Sequence, residues 1–173
     1  MVIDSVKQIL AEFKPAGWGQ DLVAAGFVRA VEQHEQTLTI KLVLPFAGQT
    51  LFEQMKETFD AHIRAATGAA IVDWQCDIEV ASMPRAQQLA AVQGIRNILV
   101  VASGKGGVGK STTAVNLALA LQKEGARVAL LDADIYGPSI PTMTGTLKER
   151  PVSFDGKLME PVMACGIKSN SIG

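Results

Sequence analysis

Cysteine is scarce: the 173 residues contain two, Cys76 and Cys165, far apart and with no C-x-x-C spacing. That pattern excludes a disulfide framework and a paired-cysteine metal motif within this sequence. In a reducing compartment, two lone cysteines read as packing residues. Cys76 falls on the apolar side of an alternating segment, which favours core packing over ligation. Histidine is equally rare, and His34 and His62 are isolated, one expected in a turn and one on a helix, so neither reads as a metal ligand. Charge of one sign is missing: the net charge is −1 and no basic run exceeds a residue or two, which argues against a nucleic-acid surface. No apolar stretch has the length of a membrane span. The first residues carry Asp4 and Glu12 and lack a signal-peptide core. These absences predict a cytoplasmic chain with no nucleic-acid or membrane partner. No internal repeat is visible.

What the chain does have is apolar surface to bury. Hydrophobic residues make up 48% and charged residues 19%, the balance of a globular protein with room for one domain or two small ones. Residues 1–80 predict a small α+β domain. Asp4 or Ser5 can cap a helix that puts Val6, Ile9, Leu10 and Phe13 on one face. Residues 14–19 read as a loop. Phe27 to Val31 and Thr37 to Leu44 predict a hairpin, the second strand alternating through Leu38, Ile40, Leu42 and Leu44. A helix through Phe52, Met55, Phe59 and Ile63 stops at Gly68. Ile71 to Val80 then alternates through Trp74, Cys76, Ile78 and Val80. The predicted order is α-β-β-α-β, a three-stranded sheet backed by helices. Residues 81–95, including Met83-Pro84-Arg85-Ala86-Gln87-Gln88, read as an interdomain linker.

Residues 96–173 carry the chemistry. Gly104 to Ser111 fits G-x-x-x-x-G-K-[ST], the phosphate-binding loop of nucleoside triphosphatases. Glycines Gly104, Gly106, Gly107 and Gly109, with Lys105 and Val108 between them, let successive N–H groups curl into an anion nest. Lys110 reaches the β- and γ-phosphates, Ser111 ligates Mg²⁺, and Thr112 completes the nest at a helix N-terminus. The context fits this reading. Ile98 to Ala102 is a continuous apolar run expected to form a buried parallel strand. Val115, Leu117, Ala118, Leu119 and Leu121 lie on a helix that stops at Gly125. Arg127 to Leu131 predicts a second buried strand ending in Asp132. The expectation is a βαβ unit with its site at the strands' carboxyl ends. There, Asp132 can hold Mg²⁺ through water while Asp134 orients the attacking water. Pro138 and Pro141 stiffen the loop that follows. Asp155-Gly156 predicts a tight hairpin turn.

Lys105, set among these glycines, is similar to the signature lysine of the deviant Walker A class, which includes MinD, ParA and the nitrogenase iron protein. That resemblance implies a nucleotide-sandwich homodimer in which Lys105 contacts nucleotide across the interface. The run Gly-Lys-Gly-Gly-Val-Gly-Lys-Ser-Thr, followed by Leu-Asp-Ala-Asp-Ile-Tyr-Gly-Pro-Ser-Ile-Pro and later by Gly166-Ile167-Lys168-Ser169-Asn170-Ser171-Ile172-Gly173, resembles the Mrp/ApbC family of iron–sulfur cluster carrier ATPases. The resemblance implies ATP binding and hydrolysis, Mg²⁺, a homodimer, and delivery of [4Fe–4S] clusters to apo-proteins. It makes Lys105, Lys110 and Asp134 the catalytic group. Residues 1–80 are similar to the PaaD-like domains of cluster assembly, although Lys14-Pro15-Ala16-Gly17 replaces an Asp-Pro-Glu segment and Pro45-Phe46 replaces a common cysteine. The family's second acidic switch and its cluster-binding C-x-x-C are absent from this sequence, so the expectation is a truncated P-loop domain, the start of a parallel-sheet NTPase. The competing reading is a MinD- or ParA-like nucleotide-dependent dimerisation switch, which calls for a C-terminal amphipathic helix or basic surface that is not seen.

Overall fold

The computed structural model describes residues 2–84 and 90–172. The chain divides into two compact units, Met1–Met83 and Pro84–Gly173.

In the first unit the element order is α1 (Val2–Ala11), β1 (Val28–His34), β2 (Thr37–Leu44), α2 (Gln49–Thr67) and β3 (Ile71–Ile78). This is the α-β-β-α-β order that the periodicity predicts. α1 starts ahead of the expected caps, so Asp4 lies inside its first turn, where a carboxylate favours the positive helix end. β1 and β2 pair antiparallel from Val28↔Leu42 to His34↔Thr37, with a bulge between Val28 and Ala30. β3 returns parallel to β2, Thr37↔Ile71 through Leu44↔Ile78, so α2 is a crossover helix. The sheet order is β1-β2-β3.

Strict alternation along β2 buries Leu38, Ile40, Leu42 and Leu44 on one face. Against them pack Val6 and Leu10 of α1 and Met55, Phe59 and Ile63 of α2. α2 ends at Gly68, whose φ of 70° lets its N–H bond the Arg64 carbonyl. Asp60 ties α2 to β3, accepting from Trp74 Nε1 at 3.0 Å and Arg64 Nε at 2.6 Å. Burial alone would raise the Asp60 carboxyl, but the Arg64 and Trp74 hydrogen bonds outweigh it and hold the group below its ordinary value. Cys76 is half-buried against the core, and burial pushes its thiol up.

The second unit contains α3 (Lys110–Lys123), β4 (Ala129–Leu131), α4 (Ile140–Thr144), β5 (Val162–Ala164) and β6 (Ile167–Asn170). Arg85, Ala86, Gln87 and Gln88 of the predicted linker lie outside the described residues. Here the structure corrects the sequence reading. Ile98 to Ala102 forms no strand, and Val100 is 82% exposed. A parallel strand needs a neighbour's N–H and C=O groups along its length. The strands of this unit instead pair in the order β4-β6-β5. The expected purely parallel βαβ unit is therefore replaced by a small mixed sheet: β4 runs parallel to β6, and β5 antiparallel to it. The predicted strand from Arg127 shortens to Ala129–Leu131. α3 packs on β4, β6 and α4. It closes in a Schellman turn at Gly125, with Gly125 N–H on the Gln122 carbonyl and Ala126 N–H on that of Leu121, each at 3.0 Å. The Asp155–Gly156 turn forms: Asp155 Oδ1 accepts the N–H groups of Lys157 and Leu158 at 2.9 and 2.8 Å, under a single Val152↔Glu160 bridge.

Candidate functional site

The glycine-rich loop leads directly into α3. Gly107 and Gly109 take φ of 74° and 89°, the left-handed region that side chains disfavour. A Cβ at Gly104, Gly106, Gly107 or Gly109 would meet nothing within 4 Å, so open space lies over the loop. Ser103 Oγ donates to the Lys105 carbonyl at 2.9 Å and pins the start of the curl. The first helical bond of α3 runs from Thr113 N–H to the Gly109 carbonyl at 2.8 Å. The N–H groups of Lys110, Ser111 and Thr112 therefore precede the helical ladder, at the positive end of the helix dipole. Lys105, Val108 and Thr112 are exposed, whereas Lys110 and Ser111 are half-buried.

The loop lysine and the acidic segment meet. Lys110 Nζ lies 2.7 Å from Asp134 Oδ2, with the two side chains 29% and 34% exposed. The Lys110 ammonium, followed by the Gly137 N–H on Oδ1 at 3.1 Å, holds the Asp134 carboxyl below its ordinary value. Asp132 is also engaged. Its Oδ1 accepts the Asp134 N–H at 3.1 Å, and its Oδ2 accepts the Ile140 N–H at 3.3 Å and the Ser171 hydroxyl at 3.0 Å. Its own N–H reaches the Asn170 carbonyl at 2.9 Å, one step beyond the β4–β6 ladder. The acidic loop is thus bound to the end of β6 at one point and to the phosphate loop at another. Sequence reasoning gave no role to Ser171 or Ile140 and did not foresee the Lys110–Asp134 pair. The one available signal was a hydroxyl residue at a strand end, in a segment noted only for its resemblance.

Chemically, the set offers a glycine-rich loop at a helix N-terminus, the Lys110 ammonium, the Ser111 hydroxyl and the Asp132 and Asp134 carboxylates. Hydroxyl and carboxylate oxygens suit a hard cation such as Mg²⁺. The thiols offer no comparable set. Cys165 sits at the exposed β5–β6 turn with its Sγ 3.9 Å from the Thr144 carbonyl, and Cys76 belongs to the other unit. Among the described residues, no three His, Cys, Asp or Glu side chains gather into a metal site, and no helix is long and apolar enough to cross a membrane.

Comparison with known proteins adds an independent line. Residues 94–173 match the ParA family model, described as NUBPL iron-transfer P-loop NTPase. An iron-sulfur cluster carrier protein of Escherichia coli (strain K12) is 46% identical over 164 residues, 95% of this chain and 44% of that protein. One from Haemophilus influenzae is 45% identical over 170 residues, 98% of this chain and 46% of that protein. One from Synechocystis is 35% identical over 176 residues, all of this chain and 50% of that protein. The chain thus spans half or less of the length of these three relatives.

Proposed function

We propose that this chain, whose residues 94–173 match the ParA family model described as NUBPL iron-transfer P-loop NTPase, supplies the ATP-binding and ATP-hydrolysing site of an iron–sulfur cluster carrier. One observation carries the nucleotide reading: a left-handed glycine loop opens onto a helix N-terminus whose first residue, Lys110, faces the acidic loop at Asp134. In this reading the backbone of Gly104 to Thr112 cradles the phosphates. Lys110 gives up Asp134 for the β- and γ-phosphate oxygens. Ser111 and Asp132 would hold Mg²⁺, which would supply positive charge to the phosphates. Asp134, freed of its cation, orients the water that attacks the γ-phosphorus in line as ADP leaves. Lys105 is exposed and reaches the nucleotide of a second copy in a homodimer.

The cluster is cargo. The names of the relatives support a carrier role, and we extend it to [4Fe–4S] transfer to apo-proteins in the cytoplasm. A cluster needs several thiolate ligands. Cys76 and Cys165 lie in separate units, so no residue of this chain is assigned to the cluster. We read the first unit as a PaaD-like docking module; no catalytic constellation is assigned among its described residues.

Titration of the full chain with ATP and Mg²⁺ tests the nucleotide reading. Lys110→Ala should weaken binding by about tenfold or more, the scale of one charge-assisted phosphate contact. Equal affinity in wild type and variant would refute it. Anaerobic reconstitution with iron and sulfide, in a protein carrying this sequence at its relatives' full length, should give a broad visible thiolate-to-iron absorbance. A colourless product overturns the carrier reading.

A further inference from the structure

Asp132 is the junction of the acidic loop, and its carboxylate is held from three directions. A carboxylate offers about four lone-pair positions. Three are taken here by the Asp134 N–H, the Ile140 N–H and the Ser171 hydroxyl. The first two donors are backbone groups of the loop itself. The third comes from beyond β6, an element far away in sequence. It arrives there because β4 and β6 run parallel with Leu131 opposite Asn170, which brings Asp132 and Ser171 side by side past the last ladder pair. The Asp132 N–H bond to the Asn170 carbonyl at 2.9 Å extends that register.

We propose that Ser171 is a positioning residue of the nucleotide site, fixing the Asp132 carboxylate and, through it, the loop from Asp134 to Ile140 in the arrangement that receives Mg²⁺-bound ATP. The inference rests on the nucleotide reading above and deepens it.

The reasoning is geometric. The terminal torsion of an aspartate is broad and poorly defined by its own rotamer preferences. Two donors from the loop itself fix the carboxylate only relative to that loop, whereas a donor next to the last β4–β6 ladder pair ties it to the sheet. The Ser171 hydroxyl therefore sets the plane of the carboxylate in the frame of the sheet. With Oδ1 and Oδ2 so placed, the Asp134 and Ile140 N–H groups are fixed, and α4 starts at the buried Ile140. Asp134 is then presented to Lys110 at 2.7 Å and to the Gly137 N–H at 3.1 Å. The remaining lone-pair position of Asp132 is left for a water on the metal. Removing the hydroxyl keeps both loop donors but frees the carboxylate to rotate, so the metal-dependent part of binding suffers while the backbone nest does not.

The test is calorimetric titration of ATP into the full chain, once with excess Mg²⁺ and once in EDTA. Wild type should bind more tightly with Mg²⁺. Ser171→Ala should reduce that Mg²⁺ enhancement about tenfold, the scale of losing one hydrogen bond to a charged group, while affinity in EDTA changes far less. Ser171→Thr, which keeps the hydroxyl, should restore the enhancement, and Ser171→Val, isosteric with that threonine, should not. This Thr and Val pair decides the matter if the alanine variant misfolds. The proposal is overturned if wild type shows no Mg²⁺ enhancement, if Ser171→Ala keeps it, if both affinities fall together, or if Thr and Val behave alike. A wild-type chain that binds no ATP in either buffer fails at the nucleotide reading itself and takes this inference with it.

Discussion

Replacing Ile40 and Val100 by alanine, one at a time, separates two apolar residues that look equivalent in the sequence. Ile40 lies in the middle of β2, opposite Val31 and Trp74 on its two neighbours, and is 0% exposed. Ile40→Ala removes about three carbon groups, worth about 2.4 kcal/mol in transfer energy alone at about 0.8 kcal/mol each. A residual cavity raises the cost to about 3–4 kcal/mol, inside the usual range for such truncations. In a unit of this size each kcal/mol shifts the melting temperature by roughly 4–8 °C, so a fall of about 12–32 °C is expected. Trp18 and Trp74 are the only tryptophans in the chain and both lie in the first unit, so tryptophan fluorescence follows this transition selectively. Val100, being mostly solvated, should behave as a surface position. Val100→Ala should cost no more than about 0.5 kcal/mol, and calorimetry of the whole chain should show shifts below about 4 °C. A drop for Val100→Ala comparable to that for Ile40→Ala would refute the reasoning, because only a packed strand at 98–102 could produce it.

Glycine substitutions in the phosphate loop should divide by backbone angle. Gly109→Ala should destabilise by about 1–2 kcal/mol through its φ of 89° alone, since its added Cβ meets no neighbour, whereas Gly104→Ala should leave the melting temperature unchanged; chemical denaturation reads both. The Lys110–Asp134 pair carries a pH signature. Asp134 is depressed in the folded chain, chiefly by Lys110, so its contribution is fully present above the ordinary carboxylate pKa and is lost as pH falls through the lower folded value. The effect should thus appear only on acidification below about pH 4, and Asp134→Asn should remove that component from an acid-unfolding profile.

The first unit was legible because its signals are local and agree with one another. Alternation along Leu38 to Leu44, helical spacing from Met55 to Ile63 and the stop at Gly68 all describe elements whose partners lie within the same 83 residues. The second unit was legible in its loop and helix but not in its sheet. An apolar run such as Ile98 to Ala102 records a tendency to be buried and says nothing about which strand supplies the covering edge. Asp132 and Asp134 were recognisable from their place after a strand. Their hydrogen-bond partners were not, because these depend on the β4–β6 register that sets Ser171 beside Asp132. Spacing marked Lys110 as a candidate phosphate ligand, but its pairing with Asp134 follows from the turn of the acidic loop, which no periodicity encodes.

The connection between the three strands of the first unit also bears on the order in which it can assemble. β1 and β2 meet across a two-residue turn, with Glu35 at a positive φ, so their pairing closes a short stretch of chain and can form within microseconds. β3 joins only after the whole of α2 has been traversed, and this longer closure carries the greater entropic cost. As the chain leaves the ribosome, α1 alone is at hand to cover Leu38, Ile40, Leu42 and Leu44, and the rest of that face meets water until α2 folds over it. The crossover helix is thus the element that shields this nascent sheet from its neighbours, and a slow or weakened α2 would show itself first as aggregation during synthesis, before any loss of stability in the finished protein.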